Sequence, residues 1–255
     1  MKPILITFSF VLFFFSCNSK DNRIVKTEII ETVSDTIEIA EDKTPNITKA
    51  FVLGKFDYRK DSTFVKVKSE HSSKLIYLKN EVYSAFLNML DSANHAGIEL
   101  KIISGTRNFE EQKAIWERKW VKYKNLEHLE RALKILEYSS MPSSSRHHWG
   151  TDIDLNSLNN SYFNSGKGLA EYNWLKTHAN RFGFYQIYTD KTNGRTGYNL
   201  EKWHWSYLPL ASEYLAFYNT NIKTKDIEGF KGSELGETLN IIEDYVNGVS
   251  QKAKD

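Results

Sequence analysis

The segment Ser145-Arg-His-His-Trp-Gly-Thr-Asp-Ile-Asp154 and its downstream counterpart Glu201-Lys-Trp-His204 hold the residues around which the chain is organised. Thr151 to Leu155 alternates polar and apolar positions, which predicts a strand with Asp152 and Asp154 on one face and Ile153 and Leu155 on the other. Trp203 to Tyr207 reads the same way, with His204 and Ser206 facing opposite to Trp203, Trp205 and Tyr207. A catalytic zinc site needs three protein ligands from the His, Asp and Glu set, an open position for water, and a base that is not itself a ligand. His147, Asp154 and His204 can supply the ligands and Glu201 the base. His147 and Asp154 are seven apart with Gly150 between them, a spacing that suits a loop-then-strand arm whose ends converge on one ion. Any one of these histidines, taken alone, is more commonly a core or surface residue. The combination of two His/acid clusters carries the reading.

Upstream, Ile98 to Ser104 alternates and predicts a strand, followed by Ser104-Gly-Thr-Arg107-Asn-Phe-Glu-Glu111. Asn108 and Glu111 have capping-box spacing, so a helix is expected to begin at Phe109. Arg107 then falls on the strand-to-helix turn, a common place for a ligand-gripping residue. That helix runs through Trp116, Trp120 and Tyr123, breaks near Asn125, and resumes with Leu126, Leu129, Leu133 and Leu136. Val82, Phe86, Met89 and Ala93 predict a buried-face helix from Asn80 to Ala96, closed by Gly97. Phe51 to Phe56 reads as a short strand and turn, with weaker extended pieces between Val65 and Tyr77. After the central motif come a loose insertion to Gly168, a helix closed by Gly183, and a strand from Phe184 to Tyr188. Helical pieces near Leu210–Tyr218 and Leu235–Val246 finish the chain.

The pattern Ser145, His147, Gly150, Asp154, then Glu201, Trp203, His204 resembles the motif pair of the VanY-like D-alanyl-D-alanine carboxypeptidases. These are zinc peptidases with hedgehog-like and lysostaphin-type relatives. Ser104-Gly-Thr-Arg107-Asn-Phe-Glu-Glu-Gln112 is similar to a third segment of that family, with Asn108 in place of the more usual Ser. Asp152 is a second departure, standing where many relatives have Ala. It shares a face with Asp154, so it is either a support for a ligand, the reading favoured here, or a rival ligand. The resemblance spans roughly Phe51 to Tyr207 and implies Zn2+ held by His147, Asp154 and His204, with Glu201 as general base. It also implies that Arg107 grips a substrate carboxylate, which suits the planar fork of a guanidinium. Ser145 is a candidate to bind substrate or to hold His147, and Gln112 a candidate to point back into the site. The implied fold is α+β: a small, mainly antiparallel sheet carrying the zinc site, flanked by helices. The implied activity is removal of the terminal D-alanine from peptidoglycan stem peptides. An L,D-carboxypeptidase, a D,D-dipeptidase or an endopeptidase of the same fold is the nearest alternative. A non-catalytic wall-binding lipoprotein is the alternative of another class.

The N-terminus speaks to location. Lys2 precedes a mostly apolar run from Ile4 to Phe15, then Ser16 and Cys17, the one cysteine of the chain. That run is shorter than the roughly 20 residues needed to span a bilayer and fits a signal segment. Phe14-Phe15-Ser16-Cys17 loosely resembles a bacterial lipobox, which implies a lipid on Cys17 and a membrane-anchored protein facing the periplasm or wall. With no second cysteine, no intramolecular disulfide and no cysteine-based metal site can form. The expected organisation is a signal peptide (1–16), a tether (17–47), a peptidase domain (48–220) and a C-terminal helical extension (221–255). A formal net charge of +2 without a basic stretch argues against nucleic acid as partner.

Overall fold

The computed structural model describes residues 47–254, inside a compact unit that spans Pro45–Asp255. The expected signal segment, Cys17 and all but the last residue of the tether lie outside the described residues.

The regular elements follow in order: α1 (Lys49–Val52), β1 (Phe64–Lys66), β2 (Tyr77–Lys79), α2 (Asn80–His95), β3 (Ile102–Ser104), α3 (Phe109–Lys122) and α4 (His128–Leu136). Then come β4 (Asp152–Leu155), α5 (Gly166–His178), β5 (Phe184–Gln186), β6 (His204–Tyr207) and α6 (Leu208–Asn221). β1 and β2 form a small hairpin-like sheet, and the other four strands form an antiparallel sheet in the order β3-β4-β6-β5. The fold is α+β, with the sheet flanked by helices as the sequence leads one to expect.

The register of β4 on β6 decides where the chemistry lies. Asp152 pairs with Ser206, Ile153 with Trp205 and Asp154 with His204. Successive side chains alternate across a strand, so all four polar residues share one face. On the other face Ile153, Leu155, Trp205, Ile102 and Phe184 join a core with Val82, Phe86 and Met89 of α2 and Leu175 of α5. A one-residue slip would exchange the two faces. Burial of Ile153 and Leu155 alone contributes roughly 1.5–3 kcal/mol each, which disfavours that slip.

A second core gathers Trp116 and Trp120 of α3, Ile135 and Leu136 of α4, Trp149, and Tyr214 and Tyr218 of α6. Ile227, Phe230, Ile241 and Val246, beyond the end of α6, belong to the same cluster. Beyond Asn221 the described chain forms short 310 turns and one π turn, Ile241–Val246, which falls within the helical piece expected near Leu235–Val246.

Helix α3 starts at Phe109 with both halves of its capping box made. Asn108 Oδ1 accepts the Glu111 N–H at 2.9 Å, and Glu111 Oε2 accepts the Asn108 N–H at 2.9 Å. The strand expected at Phe51 is instead the turn of helix α1, capped by Thr48 Oγ1 on the Phe51 N–H. Four residues are too few to show a helical period, and Phe and Val composition favours a strand. Packing overrides it, because Val52 is fully buried and the Phe51 ring meets Tyr214 at 4.9 Å. β3 is shorter than expected, since the Lys101 N–H turns aside to Asn156 Oδ1. Among the described residues no helix is long and apolar enough to cross a membrane.

Candidate metal centre

A 310 turn, Arg146–Trp149, leads through Gly150 into β4. Gly150 has φ +73°, and a Cβ there would lie 2.4 Å from the Phe64 ring, so only glycine fits this reversal. The turn swings His147 back over the polar face of the sheet, where it meets Asp154 and His204. Ligand atoms of the three lie within 4.8 Å of one another, and all three residues are buried. His147 Nε2 is 3.5 Å from Asp154 Oδ2, and His204 Nδ1 is 3.3 Å from Asp154 Oδ1.

Each imidazole is committed through its other nitrogen. His147 Nδ1 donates to the Gly105 carbonyl at 2.8 Å, and His204 Nε2 donates to Asp152 Oδ2 at 2.8 Å. One nitrogen of each ring is thereby left facing the cluster, the arrangement by which proteins orient metal-binding histidines. Asp154 Oδ1 is buried and accepts no hydrogen bond among the described residues. Two imidazole nitrogens and a carboxylate oxygen are a donor set that fits zinc.

The charges follow the same logic. Burial works to raise the Asp154 carboxyl, yet His147 and His204 hold it well below the usual carboxylate range. Burial works to lower His204, but Asp152, Asp154 and Glu201 together hold it well above an ordinary imidazole. His147 is lowered, chiefly by burial and then by Arg107. Glu201 is buried with Oε2 3.3 Å from His204 Nδ1, and its burial raises its carboxyl against the pull of His204. The Glu201 backbone is fixed from both sides, by the Tyr188 carbonyl at 2.9 Å and the Gln186 amide at 3.1 Å.

Asp152 lies behind His204, on the nitrogen turned away from the cluster. Its Oδ2 accepts from Arg146 Nε at 3.0 Å and from His204, while Oδ1 accepts from Ser206 Oγ at 2.6 Å and Thr151 Oγ1 at 2.8 Å. Arg146, itself 1% exposed, also donates to Ser206 Oγ at 2.7 Å. Asp152 is therefore a support for His204.

Arg107 stands on the turn between β3 and α3. Its Nε donates to Gln112 Oε1 at 2.9 Å and its Nη1 to Ser104 Oγ at 2.5 Å. Gln112 Nε2 in turn donates to the Ser140 carbonyl at 2.7 Å, so both ends of that amide serve to fix Arg107. Ser145 is buried away from the cavity lining, and its hydroxyl has no hydrogen-bond partner among the described residues. His148 is fully buried. Its Nδ1 donates to the Arg107 carbonyl at 2.7 Å, its Nε2 accepts the Ser143 N–H at 3.0 Å, and burial pushes it down to about 3. His148 is thus a neutral brace between two loops.

Arg107, His147, Asp154, Tyr188, Glu201 and His204 share the lining of one cavity of about 840 Å3. The sequence carries no sign that Arg146 spans Asp152 and Ser206, because Ser206 lies on the partner strand. Ser104 stands in the motif segment, but its role in holding Arg107 is visible only in the folded turn. Nor does the sequence mark Arg195, which donates to the carbonyls of Thr189, Thr196, Tyr198 and Gly248 and so ties the loop before Glu201 to the C-terminal segment.

A family model described as VanY: D-alanyl-D-alanine carboxypeptidase matches residues 75–210. The YodJ protein of Bacillus subtilis (strain 168), which bears a carboxypeptidase name, is 30% identical over 134 residues. That match takes in 52% of this chain and 46% of YodJ. A D-alanyl-D-alanine carboxypeptidase of Enterococcus faecalis (strain ATCC 700802 / V583) is 28% identical over 125 residues, 48% of this chain and 45% of its own. The chain thus spans about half the length of the curated relatives it matches. Among solved structures, the LdcB LD-carboxypeptidase superposes with a TM-score of 0.50 at 22% identity, covering 73% of this chain and 81% of its own, and shares the fold.

Proposed function

This chain belongs to the VanY family of D-alanyl-D-alanine carboxypeptidases, and from that premise we propose that it is a zinc-dependent carboxypeptidase removing the terminal D-alanine of peptidoglycan stem peptides. The observation that carries the reading is the buried His147, Asp154 and His204 cluster with Glu201 beside it in one cavity. When bound, zinc supplies a Lewis acid that polarises a carbonyl and makes water more acidic. Glu201 takes the proton of the attacking water on its carboxylate and hands it to the nitrogen of the departing D-alanine. Its raised affinity for protons, caused by burial, suits it to hold one between those steps. Arg107, fixed by Ser104 and Gln112, binds the terminal carboxylate of the substrate through the edge of its guanidinium that these partners leave open. An endopeptidase would have less use for such a group, which favours a substrate with a free C-terminus.

The test is Glu201→Ala. The variant is expected to bind zinc as wild type does and to release no D-alanine from a pentapeptide stem. Near-normal turnover would remove Glu201 as the base, and a wall-binding protein without catalysis would show no turnover in either form.

A signal segment ending at Ser16 and a lipid on Cys17 would anchor the domain at a membrane, facing the periplasm or cell wall. Cys17→Ser is expected to release the protein from the membrane fraction; unchanged partition would refute the anchor.

A further inference from the structure

Helix α3 carries more into the cavity than the residue that fixes Arg107. Glu111, Gln112, Ile115, Arg118 and Lys119 recur at helical spacing along its cavity-facing stripe. Lys119 lies two turns beyond Gln112, about 10 Å farther along the helix. Its Nζ donates to Ser139 Oγ, while no carboxylate lies within ion-pair distance of it among the described residues. An ammonium has three donors, and this one is half-buried with Ser139 Oγ as its side-chain partner.

The other charges on the wall sharpen the contrast. Arg59 is neutralised by Glu111, and Asp154 and Glu201 are engaged at the metal centre. Lys74, Arg107, Arg118 and Lys119 line the same cavity with no carboxylate in ion-pair reach among the described residues. Burial lowers the proton affinity of Lys119, and Arg118, Lys122 and Arg107 add to that, against Glu201. A cation kept half out of water beside other cations is costly, and an incoming anion would relieve that cost.

We propose that Lys119, assisted by Arg118 at the rim, is a second anion-binding position, so that preferred substrates carry an internal carboxylate in addition to the terminal one held by Arg107. This rests on the carboxypeptidase reading and names a feature of its substrate. The rise of about 10 Å along α3 from Gln112, which holds Arg107, to Lys119 matches the span of about three extended residues, so the internal carboxylate to test lies about three residues from the C-terminus.

The test uses the full zinc-loaded chain and two synthetic peptides ending in D-Ala-D-Ala. The peptides differ only in whether the carboxylate at that internal position is free or amidated. KM and kcat are read by D-alanine release, and Kd by calorimetry with the same pair. Wild type is expected to favour the free carboxylate on the order of tenfold in KM and Kd, with kcat little changed, the size of one charge-assisted hydrogen bond. Lys119→Met is expected to bring that ratio close to one, and Lys119→Arg to restore it. The inference is overturned if wild type shows no preference or if Lys119→Met keeps the ratio. It is equally overturned if both KM values rise by the same factor, which would mean a packing role. Should neither peptide be hydrolysed, the carboxypeptidase reading falls, and the Kd ratio alone decides whether Lys119 reads the carboxylate.

Discussion

Removing the Asp152 carboxylate is expected to loosen the fold and the metal site together. In Asp152→Ala four donors lose their acceptor: Arg146 Nε, His204 Nε2, Ser206 Oγ and Thr151 Oγ1. The most costly is Arg146, whose guanidinium is 1% exposed and whose Nη1 already lacks a partner among the described residues. Breaking a buried ion pair from one side costs about 3–5 kcal/mol. His204 also loses the group that fixes its ring, a change that costs about 10–100-fold in metal affinity. Asp152→Asn is milder. Its amide oxygen can still accept from Arg146 and His204, while its NH2 can donate to the Ser206 and Thr151 hydroxyls, which rotate to accept. The ion pair is lost but its hydrogen bonds are kept, so the cost is expected to fall below that of Asp152→Ala. Urea unfolding of the metal-free protein at pH 7 reads stability, and chelator competition reads zinc affinity. An Asp152→Ala protein within about 1 kcal/mol of wild type, with zinc affinity unchanged, would refute the reasoning. The pH dependence gives a second reading. Burial would raise Asp152, but Arg146 and His204 hold it well below the usual range. Its contribution is therefore complete above the unfolded value of about 4 and is lost as pH falls below that. Wild-type stability should drop along this acid limb, and the Asp152→Asn curve should be flatter there.

Three further outcomes are expected. His147→Ala and His204→Ala should each lose zinc and activity together, measured by metal content and D-alanine release; full activity in metal-free protein would contradict the site. Because its three carboxylate neighbours hold a proton on metal-free His204, zinc must displace that proton, so affinity should fall as pH falls. Calorimetry in buffers of different ionisation enthalpy should detect proton release, and a buffer-independent heat would count against it. Gly150→Ala forces a side chain to φ +73° and into the Phe64 ring, and should destabilise by about 2 kcal/mol or more in urea unfolding; an unchanged midpoint would show that the turn relaxes freely.

Much of this architecture was legible where periodicity and burial agree. The alternation of Thr151–Leu155 and Trp203–Tyr207 gave the two strands and their faces, because one face of each is apolar and buried. The capping box at Asn108 gave the start of α3 to the residue. Two His/acid clusters gave the candidate ligands, since their spacing brings them to neighbouring strands. The failures are of two kinds. Phe51–Val52 is helical against its composition because four residues take their conformation from Trp149 and α6, which no local pattern reveals. Arg146 and Lys119 matter in part through Ser206 and Ser139, 60 and 20 positions away, and such a distant partner is not written in a polar residue's own neighbourhood. Ser104 lies only three positions from Arg107, but the turn that joins them is set by the fold. Asp152 was visible as a carboxylate on the right face, yet only the paired register shows which nitrogen of His204 it meets.

The most direct test of the central proposal is mass spectrometry of muropeptides incubated with the zinc-loaded protein and, in parallel, with Glu201→Ala. Loss of one alanine from pentapeptide stems, absent with the variant, is the expected result. Cross-linked dimers falling to monomers would instead mark an endopeptidase, and unchanged muropeptides from folded, zinc-bound protein would contradict the carboxypeptidase altogether.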